Sequence, residues 1–352
     1  AILSKKVEEI KDELTLSKKR FEFAHILDSL EEERQGGLTI DIVQTPFRSK
    51  KYLYTIIDCP GHREFIKKML TGASQADAAV LVLSAKEGIQ DQSRQHAFLT
   101  RKLGVSQLVV ALNKMDAVSY REDVYDRMRG EIEAEILDPL EYGDAPVVPV
   151  SALEGDNVYD ASERMKWYDG LTLIETLDAF VIPPVPAVDK PLRGFVQDIY
   201  RHNDKEVVLF KIETGIVCPG VMLFFSPSGR EERVRAIESF GAMLERAGPG
   251  DSVGLVVDGV HRLKRGEIVS RTEARPPLAK EFVAEIVLFS DAGVGPGDIL
   301  TVRHGTAERK CRVEEVISEI DPVSLTARAE RLGGLRPGRV GEVRFRSLEA
   351  FP

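Results

Sequence analysis

Between residues 50 and 180, short apolar runs alternate with stretches whose apolar side chains recur every three or four positions. The runs at 52–57, 78–83, 108–112 and 147–150 predict strands. The periodic stretches at 63–71, 92–103, 121–137 and 171–180 predict helices. The strands are mostly apolar throughout, without a polar residue at every second place. Such strands are buried on both faces, so alternating strand and helix predict a mostly parallel sheet covered by helices. Upstream, Val7, Ile10 and Leu14, then Phe21, Phe23, Ile26, Leu27 and Leu30, repeat at helical spacing among Lys and Glu.

The grammar changes at Pro183, Pro184, Pro186 and Pro191, which read as a hinge. Beyond it come short strands with Gly/Pro turns, at 194–200, 206–212, 220–225, 233–240 and 252–257. A second break at 274–278 precedes strands at 281–289, 298–304, 312–319, 324–329 and 341–345. Many short strands with regular turns predict β-barrels. The expected organisation is an α/β domain over 1–185, a β-barrel over 190–273 and a second over 278–352.

Composition narrows the class. With 43% hydrophobic and 30% charged residues among 352, wholesale disorder is excluded. The apolar runs fall far short of the roughly 20 residues that a membrane span needs, and no stretch pairs a basic start with an apolar core. Cys59, Cys218 and Cys311 are too far apart for a disulfide framework or a metal-site spacing, which predicts a reducing, cytoplasmic setting. The net charge of −9 lacks an overall basic footprint but says nothing about local patches.

Four segments carry candidate chemistry. In Thr55-Ile-Ile-Asp-Cys-Pro-Gly-His62 a strand delivers Asp58 to its C-terminal end, where ligands bind in open α/β sheets. Asp58 there can hold a hydrated Mg²⁺ beside a nucleotide phosphate. Gly61 permits a backbone swing and can donate its N–H to a terminal phosphate, and His62 can orient a water. The plainer reading is an ordinary Pro-Gly turn. In Asn113-Lys-Met-Asp116, Asp116 can accept two hydrogen bonds from the N1–H and amine of guanine, a donor pair that adenine lacks. Asn113 can tie loops together, and the stem of Lys114 can cover the base. The plainer reading is a helix N-cap at Asp116. Ser151-Ala152-Leu153 follows the next strand, and its backbone and small side chains can approach the guanine carbonyl oxygen. In Glu33-Arg-Gln-Gly-Gly-Leu-Thr-Ile40, Thr39 can ligate Mg²⁺ and sense a γ-phosphate, or simply follow a Gly-Gly turn.

Together the four segments resemble the guanine-nucleotide domain of translation-type GTPases, the elongation factor Tu/1-alpha class and the GTPase subunit of sulfate adenylyltransferase. Phe23–Asp28, Gly72–Asp77 and Lys190–Arg193 are similar to the same group. The resemblance spans nearly the whole chain. It implies a P-loop-GTPase-type domain followed by two small barrels, with GTP and GDP, Mg²⁺ and a conformational change read by a partner. By it, Thr39 and Asp58 are the metal and γ-phosphate residues, Gly61 and His62 act in hydrolysis, and Asn113, Lys114, Asp116, Ser151, Ala152 and Leu153 contact the guanine. One departure stands out. The pattern Gly-x-x-x-x-Gly-Lys-[Ser/Thr] occurs nowhere in the 352 residues, so the phosphate cradle is expected upstream of Ala1.

Residues 85–96 and 152–175 and Pro227-Ser-Gly229 look most like the sulfate adenylyltransferase subunit. That leads to an expected role in coupling GTP hydrolysis to adenylylsulfate synthesis, with a sulfurylase catalytic subunit as partner. The alternative is an elongation-factor-like carrier of aminoacyl-tRNA, for which Arg262–Arg265 and Arg331–Arg339 are candidate basic contacts.

Overall fold

The computed structural model describes residues 42–62, 65–202, 205–259, 263–329 and 332–351. The helices expected before residue 35, and Thr39, lie outside them. The chain divides into two compact units, residues 1–183 with 322–324 and residues 184–321 with 325–352.

In the first unit β1 (Val43–Arg48) and β2 (Leu53–Asp58) form an antiparallel hairpin. Strands β3 (Ala79–Ser84), β4 (Leu108–Asn113) and β5 (Val147–Pro149) form a parallel sheet with β4 in the middle. Every β4 residue but Asn113 is buried, because both faces of the central strand are covered. The helices are α1 (Ile66–Ala73), α2 (Asp91–Lys102), α3 (Glu122–Ile132) and α4 (Leu173–Phe180). The helix expected over 121–137 ends at Ile132 and continues as a π turn, Glu133–Leu137, that buries Ile136 and Leu137. Strand β1 was not legible as a strand because Pro46 interrupts it. Its place at the edge of a two-stranded ribbon tolerates the missing donor.

Helix α4 starts at a reciprocal cap between Thr172 and Glu175. Its Leu173, Leu177 and Phe180 pack on Val109, Ala111, Val148 and Val150 of the parallel sheet and its continuation. Trp167 is an anchor: its indole N–H donates to the Tyr120 carbonyl at 2.9 Å, and its ring lies 5.2 Å from that of Tyr125. Among the described residues the hairpin pairs with no strand of the parallel sheet. Leu53 and Ile56 on β2, and Val80 and Val82 on β3, are exposed.

The second unit holds two sheets. Strands β6 (Arg193–His202), β7 (Lys205–Thr214), β8 (Met222–Ser226), β9 (Arg230–Ser239), β11 (Ser252–Val257) and β12 (Ile268–Arg271) close into a ring, with β10 (Ala242–Leu244) appended to β9. The ring encloses Val196, Phe210, Phe225, Ile237 and Leu255. The other sheet comprises β13 (Ala279–Val287), β14 (Ile299–His304), β15 (Ala307–Val316), β16 (Glu319–Ile320), β17 (Ala327–Arg328) and β18 (Val340–Phe351). Its core is Val294, Cys311, Val313, Leu335, Val343 and Phe345. The strand expected over 324–329 shrinks to two residues. Leu325 turns back with φ of 56° and donates its N–H to Asp321 O, which closes a short hairpin instead. The two sheets meet where Thr306 donates to Val196 O at 2.7 Å and Phe195 stands edge-on to His304.

Candidate functional site

Asn113 ends β4 and Ser151 follows β5, so the parallel sheet brings both loops to one edge. The Asn113 Oδ1 accepts the Lys114 N–H at 2.7 Å and the Ala152 N–H at 2.9 Å. One side chain thus ties together two loops separated by 39 residues. The fully buried Ser151 donates its hydroxyl to Asp116 Oδ1 at 2.6 Å. Asp116 therefore does not cap the short 3₁₀ turn Met115–Val118; no side chain caps it. Among the described residues Oδ2 of Asp116 has no hydrogen-bond donor, and it remains for a ligand.

Lys114 sits in the left-handed region with φ of 64°, between the strand end and the turn. Buried Met115 pins the turn through its N–H to Val150 O. The Lys114 ammonium reaches Glu87 Oε1 at 2.8 Å, and this contact holds the Glu87 carboxyl below its ordinary range. Nothing in the sequence spacing links Glu87 to Lys114, 27 residues away. The Ala152 N–H is taken by Asn113, so its approach to a guanine carbonyl requires that bond to be shared. Leu153 is 70% exposed.

A second group lies at the end of β2. Asp58 closes the strand opposite Val43, and Cys59-Pro60-Gly61-His62 leads to α1. Helix α1 packs closely there: a Cβ on Gly72 would lie 2.3 Å from Cys59 Sγ. Burial, aided by the Asp58 charge, pushes the Cys59 thiol pKa up. A Cβ on Gly61 would meet nothing within 4 Å, so this conformation does not itself demand glycine there. His62 lies 6.1 Å from Phe65, ring to ring. Among the described residues no three His, Cys, Asp or Glu side chains gather into a metal cluster.

Residues 2–183 match the elongation factor Tu GTP binding domain. The chain is 40% identical to elongation factor 1-alpha of Thermoplasma acidophilum, over 93% of this chain and 78% of the relative. It is 42% identical to that of Methanosphaera stadtmanae, over 90% and 78%, and 39% identical to that of Desulfurococcus mucosus, over 95% and 79%. The chain belongs to the elongation-factor GTPase family.

Elongation-factor GTPases bind GTP and GDP with Mg²⁺. The family assignment corrects the expected role in sulfate activation. These relatives are elongation factors over both the α/β region and the β-rich region, which removes the basis for a sulfurylase subunit and for its catalytic partner. Of the segments that suggested the sulfurylase subunit, residues 85–96 and 152–175 lie in the first unit and Pro227-Ser-Gly229 in the second. No described helix is long and apolar enough to cross a membrane.

One further residue stands out away from the nucleotide loops. The sequence pattern predicts a strand over 233–240 with Phe240 at its end. Phe240 instead forms the tip of the β9–β10 hairpin with Gly241, at φ of 47° and 81°, and its ring is fully exposed. Two successive positive φ values make the tight primed turn that suits hairpins. A large apolar ring is unusual there.

Proposed function

We propose that this chain is a cytoplasmic GTPase of translation elongation, which delivers aminoacyl-tRNA in a GTP-dependent manner. The observation that carries the GTP part is the clamp in which buried Ser151 orients Asp116, leaving one carboxylate oxygen outward. Guanine offers that carboxylate two donors; adenine would leave it unpaired. A site of this kind discriminates by about 10⁴–10⁵-fold. Asn113 holds the two base loops in register, and the Lys114 stem covers the base. Asp58, with Thr39, takes the Mg²⁺, and Gly61 and His62 act at the γ-phosphate, His62 orienting the attacking water. Bound Mg²⁺ neutralises charge on the phosphates.

Delivery of an RNA is supported by the names of the relatives and by the exposed Phe240, since unpaired bases stack on aromatic rings. A division into three domains, at 1–185, 190–273 and 278–352, belongs to the same reading.

The deciding experiment is affinity capture from cells with the full-length natural protein, loaded with a GTP analogue or with GDP. GTP-dependent recovery of aminoacyl-tRNA, lost at high salt, is expected. Equal RNA recovery in both nucleotide states would overturn the delivery role.

A further inference from the structure

The two halves of the nucleotide site stand on separate pieces of secondary structure. Asp58 and His62 follow the β1–β2 hairpin; Asn113 and Ser151 follow β4 and β5. One carboxylate bridges these pieces. Asp178 of α4 accepts the Ser49 hydroxyl at 2.6 Å and the Tyr54 hydroxyl at 3.1 Å, both on Oδ1. Its backbone carbonyl accepts the Lys51 ammonium at 2.9 Å, and Lys50 lies 3.9 Å from Glu175 one turn earlier.

Each partner of Asp178 controls a different part of the hairpin. Ser49 Oγ accepts the Lys51 and Tyr52 N–H groups at 3.1 and 2.9 Å, so it closes the hairpin loop. A hydroxyl has one proton to donate. Two acceptors compete for that proton, Asp178 Oδ1 at 2.6 Å and the Tyr52 carbonyl at 3.1 Å; the shorter bond to the charged carboxylate draws it outward and leaves the oxygen lone pairs for the two amides. Tyr54 sits on β2 opposite Phe47, with the rings stacked at 5.0 Å. Side chains two and four places along a strand share a face, so Tyr54, Ile56 and Asp58 point the same way. Fixing Tyr54 therefore fixes which face Asp58 presents, because a slip of one residue would turn it to the other side.

The other end of the bridge is rigid. Helix α4 packs on the strands that carry Asn113 and lead to Ser151, through Val109, Ala111, Val148 and Val150. Just past the helix, Gln107 exchanges two hydrogen bonds with the backbone of Ile182, at 2.7 and 2.9 Å.

We propose that Asp178 is a positioning residue that sets the phosphate half of the nucleotide site against the base half, by latching the β1–β2 hairpin to α4. This rests on the reading of Asp58 as the Mg²⁺ residue. Asp178 touches neither nucleotide nor metal; it acts through β2.

The test uses the full-length natural protein and the variants Asp178→Ala, Asp178→Asn, Tyr54→Phe and Asp58→Asn. Asparagine still offers an oxygen to both hydroxyls; alanine offers none. For Asp178→Ala, amide exchange across β2 in the nucleotide-free protein should accelerate about tenfold. The Mg²⁺-dependent tightening of a GTP analogue should fall by a similar factor, while GDP binding in EDTA stays unchanged. Asp178→Asn should restore both readouts, and Tyr54→Phe, which keeps the stacked ring, should lie between. The latch is overturned if Asp178→Ala leaves the Mg²⁺ term intact while Asp58→Asn abolishes it. It is also overturned if the asparagine variant is as damaged as the alanine. If Asp58→Asn leaves the Mg²⁺ term unchanged, the assignment of Asp58 fails instead, whatever Asp178 does.

Discussion

Ser151 and Asp116 are 35 residues apart in the chain, and the hydroxyl of one is bonded to the carboxylate of the other at 2.6 Å. The bond occupies Oδ1 and turns the second oxygen of Asp116 outward. A carboxylate held in one rotamer by a buried neighbour loses little freedom when a base arrives, which is how preorganisation raises affinity.

Removing the orienting group separates affinity from selectivity. Ser151→Ala should weaken GDP binding by about tenfold, the worth of one hydrogen bond to a charged group. Preference for guanine over adenine should survive. Asp116→Asn should instead move preference toward xanthine nucleotides. Competition binding with GDP, ADP and XDP reads both, and an unchanged preference in Asp116→Asn would remove the base-reading assignment.

His62 follows β2 and is the residue proposed to orient the attacking water. His62→Ala should slow GTP hydrolysis by roughly 10²–10⁴-fold, the usual range for a general acid–base or water-orienting group. GDP affinity should stay near wild type. Single-turnover hydrolysis beside GDP titration separates the two, and parallel losses would make His62 structural.

Tyrosines report on the first unit. Tyr54 is pushed up to about 12 by burial and then by Asp178, and burial also carries Tyr142 and Tyr168 to about 12. An ordinary tyrosine titrates near 10. The folded values are raised, so their stabilising contribution is complete below about pH 10 and is lost as pH rises toward 12. Absorbance titration should show these phenols ionising late. Denaturation midpoints should fall over the same window, and Asp178→Ala should bring the Tyr54 phase earlier.

In the second unit, Glu319 is almost wholly buried and accepts from Arg336 Nε at 2.9 Å and from the Arg336 backbone N–H at 3.0 Å. The Arg336 hydrogen bond holds the carboxyl below its ordinary range. A depressed folded value means stability present above the unfolded value of about 4.3 and lost as pH falls through and below it. Urea midpoints should drop on acidification from about pH 5 to pH 3 in the wild type. Glu319→Gln should be less stable at neutral pH and show a flatter acid profile; equal slopes would exclude Glu319 as the source.

The barrel core sets a scale for damage without chemistry. Phe210 is fully buried among Val196, Leu223, Phe225 and Leu255. Phe210→Ala should cost about 3–5 kcal/mol by lost burial and a residual cavity. Chemical denaturation measures it, and a cost below about 1 kcal/mol would mean that the ring closes around the gap.

Much of the fold was legible because its signals are local. The unbroken apolar run Leu108–Leu112 predicts a strand covered on both faces, and all five residues are buried in β4. The first unit runs to Pro183, with residues 322–324 added to it. What failed to show was equally specific. Pro46 hid β1, and Leu325 entered a positive-φ turn that no propensity foretells. Phe240 looked like one more strand residue until the hairpin placed it at a tip. The motifs that the two groups share did not separate them; similarity to elongation factors over both the α/β and the β-rich regions removed the sulfate-activation reading.

The sequence alone determined the residue types and the order of chemistry along the chain: an Asp at the end of one strand, Asn-Lys-x-Asp at the end of another, Ser-Ala after a third. Those follow from periodicity and local strand propensity, which act over a few residues. Only the tertiary structure decided which of these groups meet. Asn113 reaches Ala152, Ser151 reaches Asp116, and Asp178 reaches Ser49 and Tyr54 across more than 120 residues, because a parallel sheet and the helix packed on it bring distant strand ends together. No pattern along the chain encodes a hydrogen bond of that separation; it exists only once the core has packed.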